Sequence, residues 1–257
     1  MQVSQFWFCS GVCRYFGFSF CPTSDFILQI HSKIILNIES STSNCSVSLS
    51  KNGNLIHFIE KNDPEFSQSD NLHLYIKKLL SDCDFSLNSL DAISISKGPG
   101  SYTGLRIGVA TAKGICFSCD LPLISINTLE ILAAAYIPEN ETNIIALLDA
   151  RRMEVYSMFL NSNHEVMVPT KAEIISIKSF KDFIKISKKV VIIGNGAQKC
   201  KKVLISGKIF YPDEPLFPSS KFMCKKSEEN FKKENFEDIA YFEPFYLKDF
   251  YTSAKKN

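Results

Sequence analysis

The alternation of apolar and polar positions becomes regular after residue 32 and predicts a run of strands. Residues 34–38 form a short β-branched apolar segment typical of a buried strand, and residues 45–50 alternate apolar with polar side chains. The dipeptide Asn52-Gly53 is common in two-residue hairpin turns, and residues 55–59 return as a third strand. The pattern therefore predicts that the fold opens with three antiparallel strands.

Helical spacing appears next. Leu72, Ile76 and Leu79 lie on one face of a helix predicted over about residues 69–82. The rest of this half is predicted in the order strand 92–96, helix 104–119, strand 122–126 and helix 129–136. This succession of three strands, then alternating helices and strands, is typical of a ribonuclease-H-like lobe of the actin type.

The second half continues with shorter elements. Strands are predicted at residues 143–149, 153–160 and 190–193 and around Ile209, with a polar, helix-sized region before the third and a last helix from Ser219 to about Lys233. We predict an α/β chain with a mixed sheet and two lobes, residues 33–132 and 133–257. Residues 1–32 contain only two charged side chains and none of the motifs below, so we expect them to lie outside the fold.

Composition narrows the class of protein. The 257 residues are 45% hydrophobic and 22% charged, which is typical of a globular chain. The 29 basic and 27 acidic residues give a net charge of +2, so composition predicts that any nucleic acid is reached through a partner. No stretch approaches the roughly 18 apolar residues of a membrane span. Nine cysteines, an odd number without framework spacing, favour reduced thiols in the cytosol.

Nucleotide and metal motifs are not found in the sequence. The glycine-rich loop at residues 98–104 is not followed by the lysine and hydroxyl residue of a P-loop. The turn at residues 39–44, where actin-like kinases place a phosphate loop, contains no glycine. The four histidines are isolated, and Cys116 and Cys119 lack a second ligand pair, so we predict neither a metal nor another cofactor.

Small residues repeat every fourth position in the helix predicted over 104–119. Gly104, Gly108 and Ala112 share one of its faces. A helical glycine is less stable than alanine by about 0.5–1 kcal/mol, which close approach of another segment would offset. That segment belongs either to the chain's own domain, which is the default, or to a partner protein.

Four ordered motifs resemble the TsaB (YeaZ-like) family over about residues 34–250. They are residues 35–41 with Glu39; residues 97–108 with Gly98, Pro99, Gly100, Ser101 and Thr103; residues 149–156 with Asp149, Arg151 and Arg152; and residues 243–250. One departure is that family members commonly carry a histidine where this chain has residues 66–69, Phe-Ser-Gln-Ser.

The resemblance implies an actin-like two-lobed fold and a cytoplasmic, non-catalytic role. The family is the dimerisation subunit of the bacterial complex that forms threonylcarbamoyladenosine beside the tRNA anticodon. It binds a catalytic paralogue, TsaD, and cooperates with a small ATPase, TsaE, so tRNA would be contacted indirectly. The family's dimerisation helices correspond to residues 69–82 and 104–119, and the candidate partner-binding residues are Leu72, Ile76, Leu79, Gly104, Arg106, Gly108 and Ala112.

Other interpretations stay open at this point. An autonomous actin-like ATPase or sugar kinase would share the architecture and would bind nucleotide. A metallopeptidase, as in the family's older glycoprotease label, would need a metal. The sequence leaves open whether the isolated chain forms a homodimer.

Overall fold

A computed structural model gives the structure of the chain, and it describes residues 32–62, 71–139, 141–214 and 216–248. Its strands are β1 Ile34–Glu39, β2 Asn44–Lys51, β3 Asn54–Asn62, β4 Ala92–Gly98, β5 Leu123–Asn127, β6 Thr142–Asp149, β7 Glu154–Leu160, β8 Val166–Ile174, β9 Lys189–Ile193 and β10 Ile209–Phe210. Its α-helices are α1 Leu72–Asp82, α2 Tyr102–Cys119, α3 Thr128–Ala134, α4 Lys181–Ile186, α5 Ala197–Lys201 and α6 Cys224–Lys232. Residues 1–31 of the predicted extension, and residues 66–69, lie outside the described residues.

The first sheet has the strand order β3-β2-β1-β4-β5. The three opening strands pair antiparallel, as predicted, whereas β1, β4 and β5 run parallel. All six residues of β1 are buried, as expected of a central strand covered on both faces. The parallel arrangement brings the carboxyl ends of β1 and β4 to the same edge, where Glu39 and the glycine-rich loop meet.

Helices cover both faces of this sheet. Leu72 and Leu79 of α1 and Ala112 of α2 share one apolar core with the sheet. The opposite face carries a polar seam, where the Ser227 hydroxyl of α6 donates to Asn37 Oδ1 at 2.5 Å and lies 2.9 Å from the Ser94 hydroxyl. Helix α6 therefore packs on the first sheet, although it lies in the part of the chain predicted as the second lobe.

The start of the last helix differs from the prediction. A 3-10 turn, Ser220–Phe222, precedes α6, and Ser219 has no capping hydrogen bond. Instead the Ser219 hydroxyl donates to Glu60 Oε2 at 2.6 Å, which ties this segment to β3.

The second sheet has the order β10-β9-β6-β7-β8. Helices α4 and α5 cover one face through Phe183 and Cys200, and α3 covers the other through Leu129 and Leu132. The predicted strands of this half are all present. The polar region between residues 161 and 189 holds the edge strand β8 and the short helix α4, and the strand was not predicted.

Candidate functional site

The β1–β2 turn and the glycine-rich loop pack against each other at the edge of the first sheet. The Ser101 amide donates to the Ser41 carbonyl at 2.6 Å. A Cβ on Gly100 would collide with the same Ser41 carbonyl, so only glycine permits this approach. Gly98 has a φ of +109°, and the bond from Gly98 to Pro99 is cis. The predicted tight turn is therefore present, and the chain's own hairpin fills it.

Glu39 lies fully buried beneath this contact. Its Oε1 accepts hydrogen bonds from the Ser41 amide at 2.6 Å and the Ser41 hydroxyl at 2.5 Å. Within the described part of the chain, its Oε2 has no hydrogen-bond partner. Burial raises the pKa of Glu39 to about 7, although the Ser41 hydrogen bonds oppose this rise. The buried carboxyl thus stabilises the β1–β2 turn through its two hydrogen bonds from Ser41.

The predicted small-residue face of α2 points into the chain's own domain. Gly104, Gly108 and Ala112 are all buried. A Cβ on Gly108 would collide with the Ser40 hydroxyl, which itself donates to the Gly104 carbonyl at 2.9 Å. Of the two alternatives for the segment that approaches this face, the geometry agrees with the default one, in which that segment belongs to the chain's own domain.

The same holds for the predicted face of α1, where Leu72, Ile76 and Leu79 are buried in the core. Six of the seven candidate partner-binding residues therefore offer no free surface. The seventh, Arg106, is exposed; it lies over the Tyr102 ring at 4.1 Å and donates to the Tyr246 hydroxyl at 3.2 Å.

The turn between β6 and β7 holds the third motif. Asp149 Oδ1 accepts from the Arg151 amide at 2.6 Å and from Lys199 Nζ at 2.9 Å. Arg151 and Arg152 are exposed and both have positive φ, +68° and +48°. Asn195 was not among the residues predicted to be functional. Its Oδ1 accepts a hydrogen bond from the Asp149 amide at 2.9 Å and so stabilises the turn.

The fourth motif belongs to a C-terminal segment that crosses α2. The Phe245 amide donates to the Lys97 carbonyl at 2.7 Å, and Lys113 Nζ donates to the Phe242 carbonyl at 3.1 Å. Lys248 forms an ion pair with Glu154 of β7. The segment therefore joins the second and third motifs, a contact that sequence spacing could not predict.

The described residues also bear on metal and membrane chemistry. Among them, no three His, Cys, Asp or Glu side chains are grouped so that they could hold a metal ion. Cys116 is buried, and burial raises its pKa to about 12, so it is a poor thiolate ligand. No described helix combines the length and the apolar character that a bilayer crossing requires.

Comparisons with known proteins place these motifs in a family. A family model described as TsaD, tRNA N6-adenosine threonylcarbamoyltransferase, matches residues 66–251. A tRNA threonylcarbamoyladenosine biosynthesis protein TsaB from Buchnera aphidicola subsp. Schizaphis graminum is 32% identical over 190 residues, covering 71% of this chain and 90% of the relative. The chain belongs to the TsaB (YeaZ-like) family. The Haemophilus influenzae TsaB protein is 36% identical over 123 residues, which cover 48% of this chain and 51% of that relative.

A solved structure agrees with this assignment at the level of the fold. A Pseudomonas aeruginosa protein with similarity to peptidase YeaZ superposes with a TM-score of 0.73 at 22% identity, covering 84% of this chain and 100% of that one. The relatives confirm the predicted family resemblance, and this structure confirms the predicted α/β fold with mixed sheets.

Proposed function

We propose that this chain is a non-catalytic subunit in the formation of threonylcarbamoyladenosine in tRNA, where it binds and supports a catalytic TsaD-like paralogue. The small ATPase TsaE would act on the assembled pair. The observation that carries the proposal is the filled turn at Glu39, in a chain whose relatives are named for this biosynthesis.

The filled turn argues against an independent kinase or ATPase. A phosphate loop needs backbone N–H groups that point at the ligand. Here the Ser41 amide donates to Glu39, the Asn44 amide to the Thr42 hydroxyl at 3.2 Å, and the Ser101 amide to the Ser41 carbonyl. These donors are used within the chain and are therefore not available to a phosphate.

The partner surface that we propose lies on the outward sides of α1 and α2. Both helices cover the same face of the first sheet. Leu74 of α1 is 51% exposed and Phe117 of α2 is 84% exposed. In the described part of the chain, a Cβ added at Gly114 would meet no atom of another segment within 4 Å, so another helix could approach this backbone closely. Large exposed apolar side chains beside small residues suit a helix-to-helix interface.

The test mixes the purified chain with its catalytic paralogue and measures the mass of the complex by analytical ultracentrifugation. A one-to-one complex is expected, and Phe117→Ala should weaken it about 10- to 30-fold, as for a buried aromatic anchor. Ile137→Ala is the matched control, since Ile137 is 91% exposed and lies outside both helices. Micromolar binding of ATP to the isolated chain by calorimetry, with no complex formed, would instead favour the kinase interpretation.

A further inference from the structure

Charge is unevenly distributed along this chain. Residues 171–208 contain ten lysines against one glutamate and one aspartate, a local net charge of +8. Because the whole chain has a net charge of +2, all other residues together carry −6. The near-neutral total therefore conceals a strongly basic segment.

The fold places much of this segment on one side of the second sheet. Helices α4 and α5 pack on the same face, so their outward sides point in the same direction. Lys181 and Lys185 lie on α4, Lys178 precedes it and Lys202 follows α5; all four side chains are exposed. We call these four lysines the basic face.

The lysines of the basic face differ from their neighbours in having no acidic partner. Across the described residues, no carboxylate lies within 4.0 Å of any of the four. By contrast, Lys188 pairs with Glu141 at 2.6 Å, and Lys199 pairs with Asp149 at 2.9 Å. The neutralised lysines thus flank a set of cations that are free to meet an external anion.

A further lysine fixes the end of α4. Lys208 Nζ donates to the carbonyls of Ile184, Lys185 and Ser187, at 3.4, 3.1 and 2.8 Å. This places a positive charge at the helix C-terminus, where it is electrostatically favourable. The helix and its lysines are therefore held in position by the loop that joins α5 to β10.

We infer that the basic face binds the phosphate backbone of tRNA directly. The inference rests on the proposed function, in which tRNA is the polyanion that the assembled complex must hold. Lysines at i and i+4 lie on one side of a helix and suit contacts to successive phosphates. Helix α4 has six residues and buries its aromatic side chain, Phe183, in the core, so it lacks the long apolar face of a helix that lies in a membrane surface. Ile177 and Ile186 beside these lysines are 70% and 72% exposed, and the test therefore includes lipid vesicles. The inference revises the composition-based expectation of only indirect contact with RNA.

The test uses the complex with the catalytic paralogue and a fluorescently labelled, unmodified tRNA transcript. Binding is measured by anisotropy between about 50 and 200 mM salt. The triple variant Lys178→Gln, Lys181→Gln, Lys185→Gln should raise the Kd by about 10-fold and reduce the slope of log K against log salt by about 2 to 3. The matched control replaces three exposed lysines outside the basic face that, among the described residues, also have no carboxylate within 4.0 Å: Lys51, Lys225 and Lys233.

Each result decides for or against the inference. A larger loss in the triple variant than in the control, with equal melting temperatures and equal complex mass, supports direct binding. Equal losses, or none, overturn it while leaving the proposed function intact, since complex formation is measured separately. Lysine-dependent binding to phosphatidylglycerol vesicles without binding to tRNA also overturns it and identifies a membrane surface. Failure to form the complex at all counts against the proposed function, and the same titration on the isolated chain then tests the basic face.

Discussion

The carboxyl of Glu39 is buried, and none of the described residues places a cation beside it to balance its charge. Such a group is most stable in its neutral form, and burial accordingly raises its pKa to about 7. The same environment raises the pKa of Cys45 to about 12, by burial and by the nearby Glu39 charge. The residue therefore stabilises the turn by its hydrogen bonds to Ser41 and opposes folding when it is ionised.

We expect Glu39→Gln to remove a pH dependence from stability. The folded chain holds the Glu39 proton more tightly than the unfolded chain, so this group lowers the free energy of unfolding as pH rises from about 4.5 to about 7. Glutamine stays neutral and keeps an acceptor for Ser41. The variant should therefore gain up to about 3 kcal/mol relative to wild type across that window. Denaturant titrations at several pH values measure the difference.

Glu60→Gln serves as the control of opposite sign. Burial raises the pKa of Glu60, but hydrogen bonds from Lys221 and Ser219 outweigh burial and leave the pKa below its usual range. Ionised Glu60 therefore stabilises the fold above its unfolded-state pKa, and this contribution disappears as pH falls through its folded-state pKa. The Glu60→Gln variant should have a lower free energy of unfolding than wild type at neutral pH, and this difference should disappear in acid. If the difference in unfolding free energy between Glu39→Gln and wild type does not change with pH, the raised pKa of Glu39 is contradicted.

Two of the three glycines in helix α2, Gly108 and Gly114, have opposite surroundings, so substitutions at them distinguish packing within the chain from packing against a partner. Gly108→Ala inserts a Cβ against the Ser40 hydroxyl and within 3.1 Å of Ile95 Cδ1. It should lower the unfolding free energy of the isolated chain by about 1–3 kcal/mol. Gly114→Ala meets open space and should raise that free energy by about 0.5–1 kcal/mol. Thermal melts of both variants provide the measurement.

The contrary outcome is equally specific. If Gly108→Ala leaves the melting temperature of the isolated chain unchanged and weakens the complex with the paralogue, the small-residue face belongs to the partner interface after all. The sequence could not separate these cases, because glycine permits close approach by any backbone or side chain. A glycine in the sequence does not indicate whether the approaching group belongs to the same chain or to a partner.

Elements with strong periodicity could be predicted from the sequence, and weakly patterned ones could not. The strands at residues 34–39 and 142–149 each contain a short run of apolar residues and lie in central positions, which makes them recognisable. The edge strand β8 pairs on one side, contains Pro169 and Lys171, and exposes much of its surface, so it lacks a clear alternation. The short helices α4 and α5 offer less than two full turns of pattern.

At the scale of the whole molecule, the features that could not be predicted from the sequence depend on contacts between segments that are far apart along the chain. Total charge is a sum and cannot reveal that one side of the second sheet is basic. Helix α6 returns to the first sheet through a buried serine, Ser227, which no periodic pattern marks as a contact residue. The motif residues Glu154 and Lys248 meet only because the C-terminal segment passes α2 and reaches β7.

The two ends of the chain should differ in their importance for stability. Residues 32–257 form one compact unit. Lys33, at its start, is tied by its side chain to Asp91 at 3.1 Å. A chain beginning at Ser32 should therefore keep the melting temperature of the full chain.

A chain ending at Phe236 loses the hydrogen bonds of Glu237 to Leu123 and of Phe245 to Lys97, together with apolar packing on the first core. It should melt at least about 4 °C lower, because roughly 1 kcal/mol corresponds to 2–4 °C in a chain of this size. Differential scanning calorimetry compares the three chains. A fall of several degrees on removing residues 1–31 would contradict the prediction that this segment lies outside the fold, and an unchanged C-terminal deletion would show that the crossing segment adds nothing to stability.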